Sequence, residues 1–138
     1  MSVSALTYAR VQQFYVHQLG LLDQGRPDDW ADLFTVDAEF VEVTRARLRG
    51  REVIRAAMRA RADQVVAKGM DFFRHWLGML HVEQCADGSL RTRSYAMAMY
   101  TPTGGKLNVY ANVVCRDVLV RQSGTWLVRS RDLRLDGG

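Results

Sequence analysis

The sequence is poor in the residues and segments that mark disulfide-bonded, metal-binding and membrane-spanning proteins. It has two cysteines, Cys85 and Cys115, which are too few and too far apart for a disulfide framework, and it has no CxxC spacing. No apolar run approaches the ~20 residues that cross a bilayer. The segment 1–8 also lacks the basic and apolar regions of a secretory signal. We therefore expect reduced thiols, no metal site, no membrane contact and a cytoplasmic location.

Charge of one sign is not in large excess either, with 19 Lys and Arg against 15 Asp and Glu and a net charge of +4. Seven arginines lie between Arg45 and Arg61. On a helix, Arg51, Arg55 and Arg59 would form a row of side chains one turn apart, opposite an apolar face, as is typical of a solvated surface. No aromatic residues are interleaved with them to stack bases. A nucleic-acid partner is therefore not expected.

The spacing of apolar residues changes from a helical period before Met70 to a strand period after it. We predict helices over 4–22, over 28–34 with Pro27 opening it, and from Gly50 to Lys68, with a strand over 37–43. Four further strands are predicted over 72–84, 89–101, 106–121 and 125–135. Their short connections indicate an antiparallel sheet. The predicted fold class is α+β, a curved sheet over about three N-terminal helices, in a single domain of residues 1–138.

Asp23 and His75 are the candidate catalytic residues. Asp23 comes at the end of the first helix, where a carboxylate opposes the helix dipole, and it borders the apolar face of that helix. His75 lies on the first long strand among large apolar neighbours, where an imidazole can act as a general base if a carboxylate orients it. A surface aspartate in a turn and a core histidine bonded to a backbone carbonyl are the alternatives that the sequence leaves open.

The other polar and aromatic positions are candidates for lining a pocket. The predicted substrate-binding residues are Tyr15, Leu19, Phe73, Leu77, Tyr95, Met97, Asn108, Tyr110 and Arg129. Arg129 and Arg131 on the last strand could bind an anionic group, and an exposed edge suits them equally. Asp117 and Asp132 are alternative carboxylates. Gly104-Gly105 lies in a hairpin turn with no helix after it, so it is not a phosphate-binding loop.

Several short motifs resemble a known family. These are the run from Val11 to Asp23, the segments Trp30-Ala31-Asp32-Leu33-Phe34 and Asp37-Ala38-Glu39-Phe40, Phe73-Arg74-His75-Trp76-Leu77-Gly78, the helix start Gly50-Arg51-Glu52-Val53-Ile54, and the terminal Gly124-Thr125-Trp126-Leu127-Val128. Together they resemble the SnoaL-like branch of the nuclear transport factor 2 (NTF2-like) superfamily over nearly the whole chain. The resemblance implies a cone of curved antiparallel sheet closed by helices around a deep apolar pocket.

The resemblance also implies an activity. In dehydrochlorinase-like members an Asp at the end of the first helix pairs with a His on the first long strand, and Asp23 and His75 occupy those positions. The expectation is a cofactor-independent lyase, isomerase or cyclase, of dehydratase or polyketide-cyclase type, that acts on a hydrophobic, polyketide-like metabolite. The alternative is a non-catalytic binding or assembly domain similar to the small subunit of ring-hydroxylating dioxygenases. The long strands expose more apolar surface than three helices can cover, which predicts a homodimer.

Overall fold

The computed structural model describes residues Met1–Gly138, in which three helices come early in the chain and most of the strands late. The helices are α1 (Ala5–Asp23), α2 (Pro27–Ala31) and α3 (Arg51–Ala67). The strands are β1 (Phe34–Val41), β2 (Arg47–Arg49), β3 (Arg74–Gln84), β4 (Leu90–Tyr100), β5 (Asn108–Gln122) and β6 (Thr125–Leu135). The α+β fold class is confirmed. No helix in the chain has both the length and the apolar character to cross a membrane.

One sheet contains all six strands, in the order β2-β1-β6-β5-β4-β3. The strands after Met70 form the predicted antiparallel meander, β3 to β6. The N-terminal strand β1 joins the far side of the meander by pairing parallel to β6, which is a mixed arrangement that the turn pattern did not predict. β2 was also missed, because three residues are too few to show a period.

Aromatic residues from the first half of the chain fill the core between the helices and the sheet. Trp30 and Phe34 pack with ring centroids 4.7 Å apart, and Phe40 lies 6.0 Å from each of them. Because Phe34 pairs with Val128 of β6, β1 starts three residues earlier than predicted and α2 ends at Ala31. Trp30 and Phe40 of this cluster also border a space beside α1.

The arginine row of α3 faces α2 as well as solvent. Arg55 is largely covered, donating to the backbone oxygen of Asp28 at 2.7 Å and to Asp32 Oδ1 at 2.6 Å. Arg59 donates to Asp28 Oδ1 at 2.6 Å. The row predicted as a solvated face thus also ties two helices together.

Candidate functional site

An apolar cavity of about 150 Å³ lies between α1 and the inner face of the sheet. Seventeen of its 19 lining residues are hydrophobic. The lining comprises Tyr15, Leu19, Leu22, Trp30, Phe40, Val43, Met58, Phe73, His75, Leu77, Ala96, Met97, Ala98, Tyr110, Ala111, Val113, Cys115, Arg131 and Leu133. A small apolar space with a few polar groups is the usual form of a small-molecule site.

Asp23 and His75 are in direct contact at the edge of this cavity. His75 Nδ1 lies 2.7 Å from Asp23 Oδ1. The backbone N–H of His75 also donates to the same carboxylate, at 3.1 Å to Oδ1 and 3.2 Å to Oδ2. One carboxylate therefore fixes both the main chain and the ring of His75. Both side chains are mostly covered, with 18% of His75 and 20% of Asp23 exposed.

The contact with Asp23 determines which nitrogen of His75 can react. A carboxylate accepts hydrogen bonds, so Nδ1 carries the hydrogen and Nε2 keeps its lone pair. Nε2 has no partner within the chain, and His75 lines the cavity. The imidazole ring packs against Phe73 at 5.4 Å, and Phe73 in turn contacts the ring of Tyr110 at 5.5 Å. His75 is thus a rigidly held basic nitrogen in apolar surroundings.

His75 also stands where the cavity meets the outside. A wider space of about 430 Å³ opens between α3 and the sheet and shares Leu22, Met58, Phe73, His75 and Tyr110 with the cavity. Asp23 lies on another side of the ring, in a groove between α1 and β3. A ligand could therefore enter past His75 while Asp23 stays behind the imidazole.

A buried polar network centred on Asp117 lies behind the cavity wall, and two of its members, Tyr15 and Arg131, border the cavity. Arg131 donates to both carboxylate oxygens of Asp117, through Nε at 3.0 Å and Nη2 at 2.9 Å. The hydroxyl of Tyr15 donates to Asp117 Oδ2 at 2.6 Å and lies 2.6 Å from Thr92 Oγ1. Arg131 Nη2 also donates to Gln18 Oε1 at 2.7 Å. The carboxylate is thereby saturated, as a buried charge requires.

Burial sets the protonation of the groups in this network. Desolvation, followed by the negative charge of Asp117, raises the pKa of the Tyr15 phenol well above its ordinary value. The same two causes raise the pKa of the Cys115 thiol. Burial opposes the charge of Arg131, but the Asp117 carboxylate outweighs it, so the pKa of the guanidinium is raised. The shifted pKa values thus favour the neutral forms of Tyr15 and Cys115 and the charged form of Arg131.

Most of the predicted lining residues meet at the cavity. Tyr15, Leu19, Phe73, Leu77, Met97 and Tyr110 border it with His75. Tyr95, Asn108 and Arg129 do not border it, and their side chains are exposed. Asp132, an alternative carboxylate, lies outside the cavity and pairs with Arg45. The alternative Asp117 is buried beneath Arg131 and does not line the cavity.

The three exceptions have different structural reasons. Tyr95 pairs with Gly78, next to a bulge in β3, and its ring is on the outer face of the sheet with 49% exposed. Arg129 is the extra residue of a bulge in β6, since Val128 and Ser130 pair with consecutive residues of β5. Strict alternation, on which the prediction depended, fails at a bulge. Asn108 pairs with Tyr100 at the end of the meander, past the cavity.

The sequence interpretation missed several residues of the site, of which Trp30, Phe40 and Gln18 matter most. Trp30 and Phe40 line the cavity from α2 and β1. Gln18, fully buried, was the polar exception on the apolar face of α1. A lone polar residue on such a face signals a buried hydrogen-bond network, and Arg131 is its partner. No three His, Cys, Asp or Glu side chains are grouped closely enough to hold a metal ion.

Comparison with known proteins gives the family. The model of the SnoaL-like domain matches residues 3–132. The chain belongs to the SnoaL-like family. Among proteins with curated descriptions, none matched this sequence.

Solved structures of SnoaL-like and related proteins agree with this placement. Aln2 from a Streptomyces species is 34% identical, with a TM-score of 0.91 over 99% of this chain and 96% of that one. A protein from Catenulispora acidiphila in complex with S-DNPA is 31% identical, with a TM-score of 0.83 over 97% and 96% of the two chains. An NTF2-like protein from Novosphingobium aromaticivorans, 21% identical, shares the fold with a TM-score of 0.80 over 95% of this chain and 83% of its own. The SnoaL-like and NTF2-like assignment is therefore confirmed.

Proposed function

We propose that this SnoaL-like protein is a cofactor-independent lyase, isomerase or cyclase that uses His75 as a general base on an apolar, polyketide-like metabolite. The observation that carries the proposal is the 2.7 Å contact between His75 Nδ1 and Asp23 Oδ1 at the edge of an apolar cavity. The contact leaves Nε2 without a hydrogen-bond partner in the chain, on a side chain that lines the cavity.

The proposed chemical step is the removal of a proton from carbon. Nε2 takes the proton, and the electrons of the broken C–H bond move into an adjacent carbonyl to give an enolate. The ring becomes an imidazolium, and its Nδ1–H donates to the Asp23 carboxylate, which stays ionised. The enolate then expels a leaving group, is reprotonated elsewhere or attacks a second carbonyl, which distinguishes elimination, isomerisation and cyclisation. Asp23 acts through His75 and is a positioning residue.

The substrate class follows from the cavity and from a relative. The lining is almost entirely apolar, which favours a ring system with few polar atoms. The similar protein from Catenulispora acidiphila binds S-DNPA, and we propose that the ligand of this chain is of the same class. S-DNPA is therefore a suitable ligand for a first binding measurement.

The proposed base can be tested before the substrate is found. A ketone such as 1-tetralone exchanges its α-hydrogens for deuterium when a base removes them, and proton NMR in D2O records the exchange. The wild-type protein should accelerate this exchange, and His75→Ala should reduce the catalysed rate by roughly 2–4 orders of magnitude. Asp29→Asn, an exposed carboxylate paired with Arg26, serves as a control and should leave the rate unchanged. Equal rates for wild type and His75→Ala would contradict the general base and favour a binding domain.

We also propose a homodimer formed through the outer face of the sheet. His75 and Leu77 of β3 line the cavity and pair with Ala98 and Ala96 of β4, so the alternating residues Trp76 and Tyr95 lie on the opposite face of the sheet. Trp76 is 65% exposed and Tyr95 49%. Exposed aromatic residues on one sheet face are typical of a surface that associates.

A further inference from the structure

Arg131 is a charged side chain inside the apolar cavity, and its environment shows what it can bind. Only 5% of the residue is exposed, and it borders the cavity. Its guanidinium is held over the ring of Phe34 at 5.3 Å and over that of Tyr15 at 6.0 Å. The group therefore presents a fixed edge to any ligand.

One nitrogen of that guanidinium is unused. Nε and Nη2 donate to Asp117 and Gln18, whereas Nη1 has no partner in the chain. Two polar side-chain atoms, Trp30 Nε1 and Ser94 Oγ, are fully enclosed and lack a partner, and Nη1 differs from them in not being fully enclosed. It consequently keeps accessible surface, and the space that Arg131 borders is the cavity. A buried donor without an acceptor is costly, so a ligand oxygen placed there is stabilised.

The charge of Arg131 is already compensated. Asp117 accepts two hydrogen bonds from it, and both side chains are buried, with 4% and 0% exposed. The pair is close to neutral as a unit, and a second carboxylate at Nη1 would lie near the charge of Asp117 without a cation of its own. A neutral oxygen, such as that of a ketone, quinone or phenol, gains the hydrogen bond without that repulsion.

We propose that Arg131 Nη1 forms a subsite for a neutral carbonyl or phenol oxygen of the substrate. This proposal rests on the proposed function, because it takes the ligand bound at Nη1 to be the substrate of that reaction. His75 and Arg131 border the same cavity, so the substrate is a fused ring compound with an oxygen at Arg131 and an acidic C–H group at His75. Arg131 thus selects among apolar rings by the position of their oxygen.

Three probes of one shape test the subsite by isothermal titration calorimetry on the wild-type protein: tetralin, 1-tetralone and 1,2,3,4-tetrahydro-1-naphthoic acid. The ketone should bind roughly tenfold more tightly than tetralin, the factor expected of a hydrogen bond to a charged donor. The carboxylate should bind no more tightly than the ketone. Equal binding of tetralin and ketone, no binding of any probe, or a carboxylate tenfold tighter than the ketone would each overturn the proposal.

Asp117→Asn tests the reason for the preference. The amide still accepts a hydrogen bond from Arg131 but no longer neutralises its charge. The affinity of the carboxylate probe should therefore rise at least tenfold relative to the affinity of the ketone. If the ratio of the carboxylate affinity to the ketone affinity stays unchanged in a variant with wild-type circular dichroism, the role given to Asp117 is contradicted. If Asp117→Asn does not fold, the wild-type series decides alone.

His75→Ala separates this subsite from the proposed activity. The variant should keep the preference for ketone over tetralin, because Nη1 does not depend on the imidazole. If the wild-type protein shows the preference but no deuterium exchange, the general base is wrong and the subsite remains. If exchange is catalysed but the preference is absent, the subsite is wrong and the base remains.

Discussion

At the scale of single residues, Asp23 has two tasks that a substitution can separate. Its carboxylate holds the main chain of β3 through the His75 N–H and the side chain through Nδ1. Asparagine could still accept from the backbone, but it lacks the charge that stabilises the imidazolium. Asp23→Asn should therefore keep the contact that holds the main chain of β3 while removing the charge that stabilises the imidazolium.

The first prediction concerns this pair as a unit. Asp23→Asn should reduce catalysed deuterium exchange into 1-tetralone by roughly 2–3 orders of magnitude, somewhat less than His75→Ala. The double variant should lose little more than His75→Ala, because groups that act together are not additive. NMR exchange rates for the wild type, the two single variants and the double variant give the coupling energy between Asp23 and His75. Circular dichroism is the control for folding. Losses that multiply in the double variant would mean that the two residues act independently.

The second prediction concerns Tyr15 at alkaline pH. Burial and the Asp117 charge raise the pKa of its phenol in the folded protein, while the unfolded value is about 10. The unfolded chain thus loses this proton first, so the stability that Tyr15 contributes is present below about pH 10 and decreases as the pH rises above it. Tyr15→Phe should cost about 1–3 kcal/mol at pH 8, because Asp117 and Thr92 lose a partner. Urea unfolding should show this difference shrinking by pH 11, and a constant difference would contradict the raised pKa.

The candidate site shows how far residue types and spacing can be interpreted. Asp23 and His75 were selected from a helix end and a strand face, and the structure brings them into contact. Arg129 was predicted to line the pocket and Arg131 was not, although strict alternation places both on one face of β6. A bulge of one residue exposes Arg129 and leaves Arg131 buried. Bulges depend on pairing between distant strands, which a single sequence does not display.

At the scale of elements, the strands of the meander were predictable and their irregularities were not. β6 begins and ends where the apolar alternation predicts, at Thr125 and Leu135. In β3 the register shifts between Gly78 and His81, and Met79 adopts a positive φ of 51° with 73% of its side chain exposed. The shift turns the end of the strand away from the cavity, so His75 and Leu77 face it and His81 does not.

The third prediction concerns the contact between α2 and α3. Arg55 has 13% of its side chain exposed and bonds to Asp28 of α2 and to Asp32 at the C-cap of that helix, whereas Arg59 has 58% exposed and Asp28 as a single partner. Arg55→Met should lower the free energy of unfolding by about 1–2 kcal/mol, because a largely covered guanidinium loses its charge-assisted hydrogen bonds to Asp28 and Asp32. The matched Arg59→Met should leave the free energy of unfolding nearly unchanged, because exposed ion pairs contribute little to stability. Urea denaturation of both variants measures the difference, and equal costs would show that Arg55 does not join the helices.

At the scale of the whole molecule, the curved sheet has two faces with different properties. The inner face borders the cavity with small and apolar side chains such as Ala96, Ala98 and Val113. The outer face exposes Trp76 and Tyr95. Alternation along the strands predicted that two such faces exist, but only the packing of the helices in the structure shows which one they cover.

The fourth prediction is that the outer face joins two copies of the chain. Trp76→Asp should convert the dimer to a monomer, because a carboxylate buried between two sheets has no cation to compensate it. Val66→Asp is the matched control, since Val66 is 81% exposed on α3, away from the outer face, and it should leave the dimer intact. Sedimentation velocity at increasing concentration measures both variants and the wild type. A wild-type monomer at high concentration would refute the dimer, and dissociation by both variants would place the contact elsewhere. Trp76 lies next to His75 in β3, so a monomeric Trp76→Asp that keeps its exchange activity would further show that the site is complete within one chain.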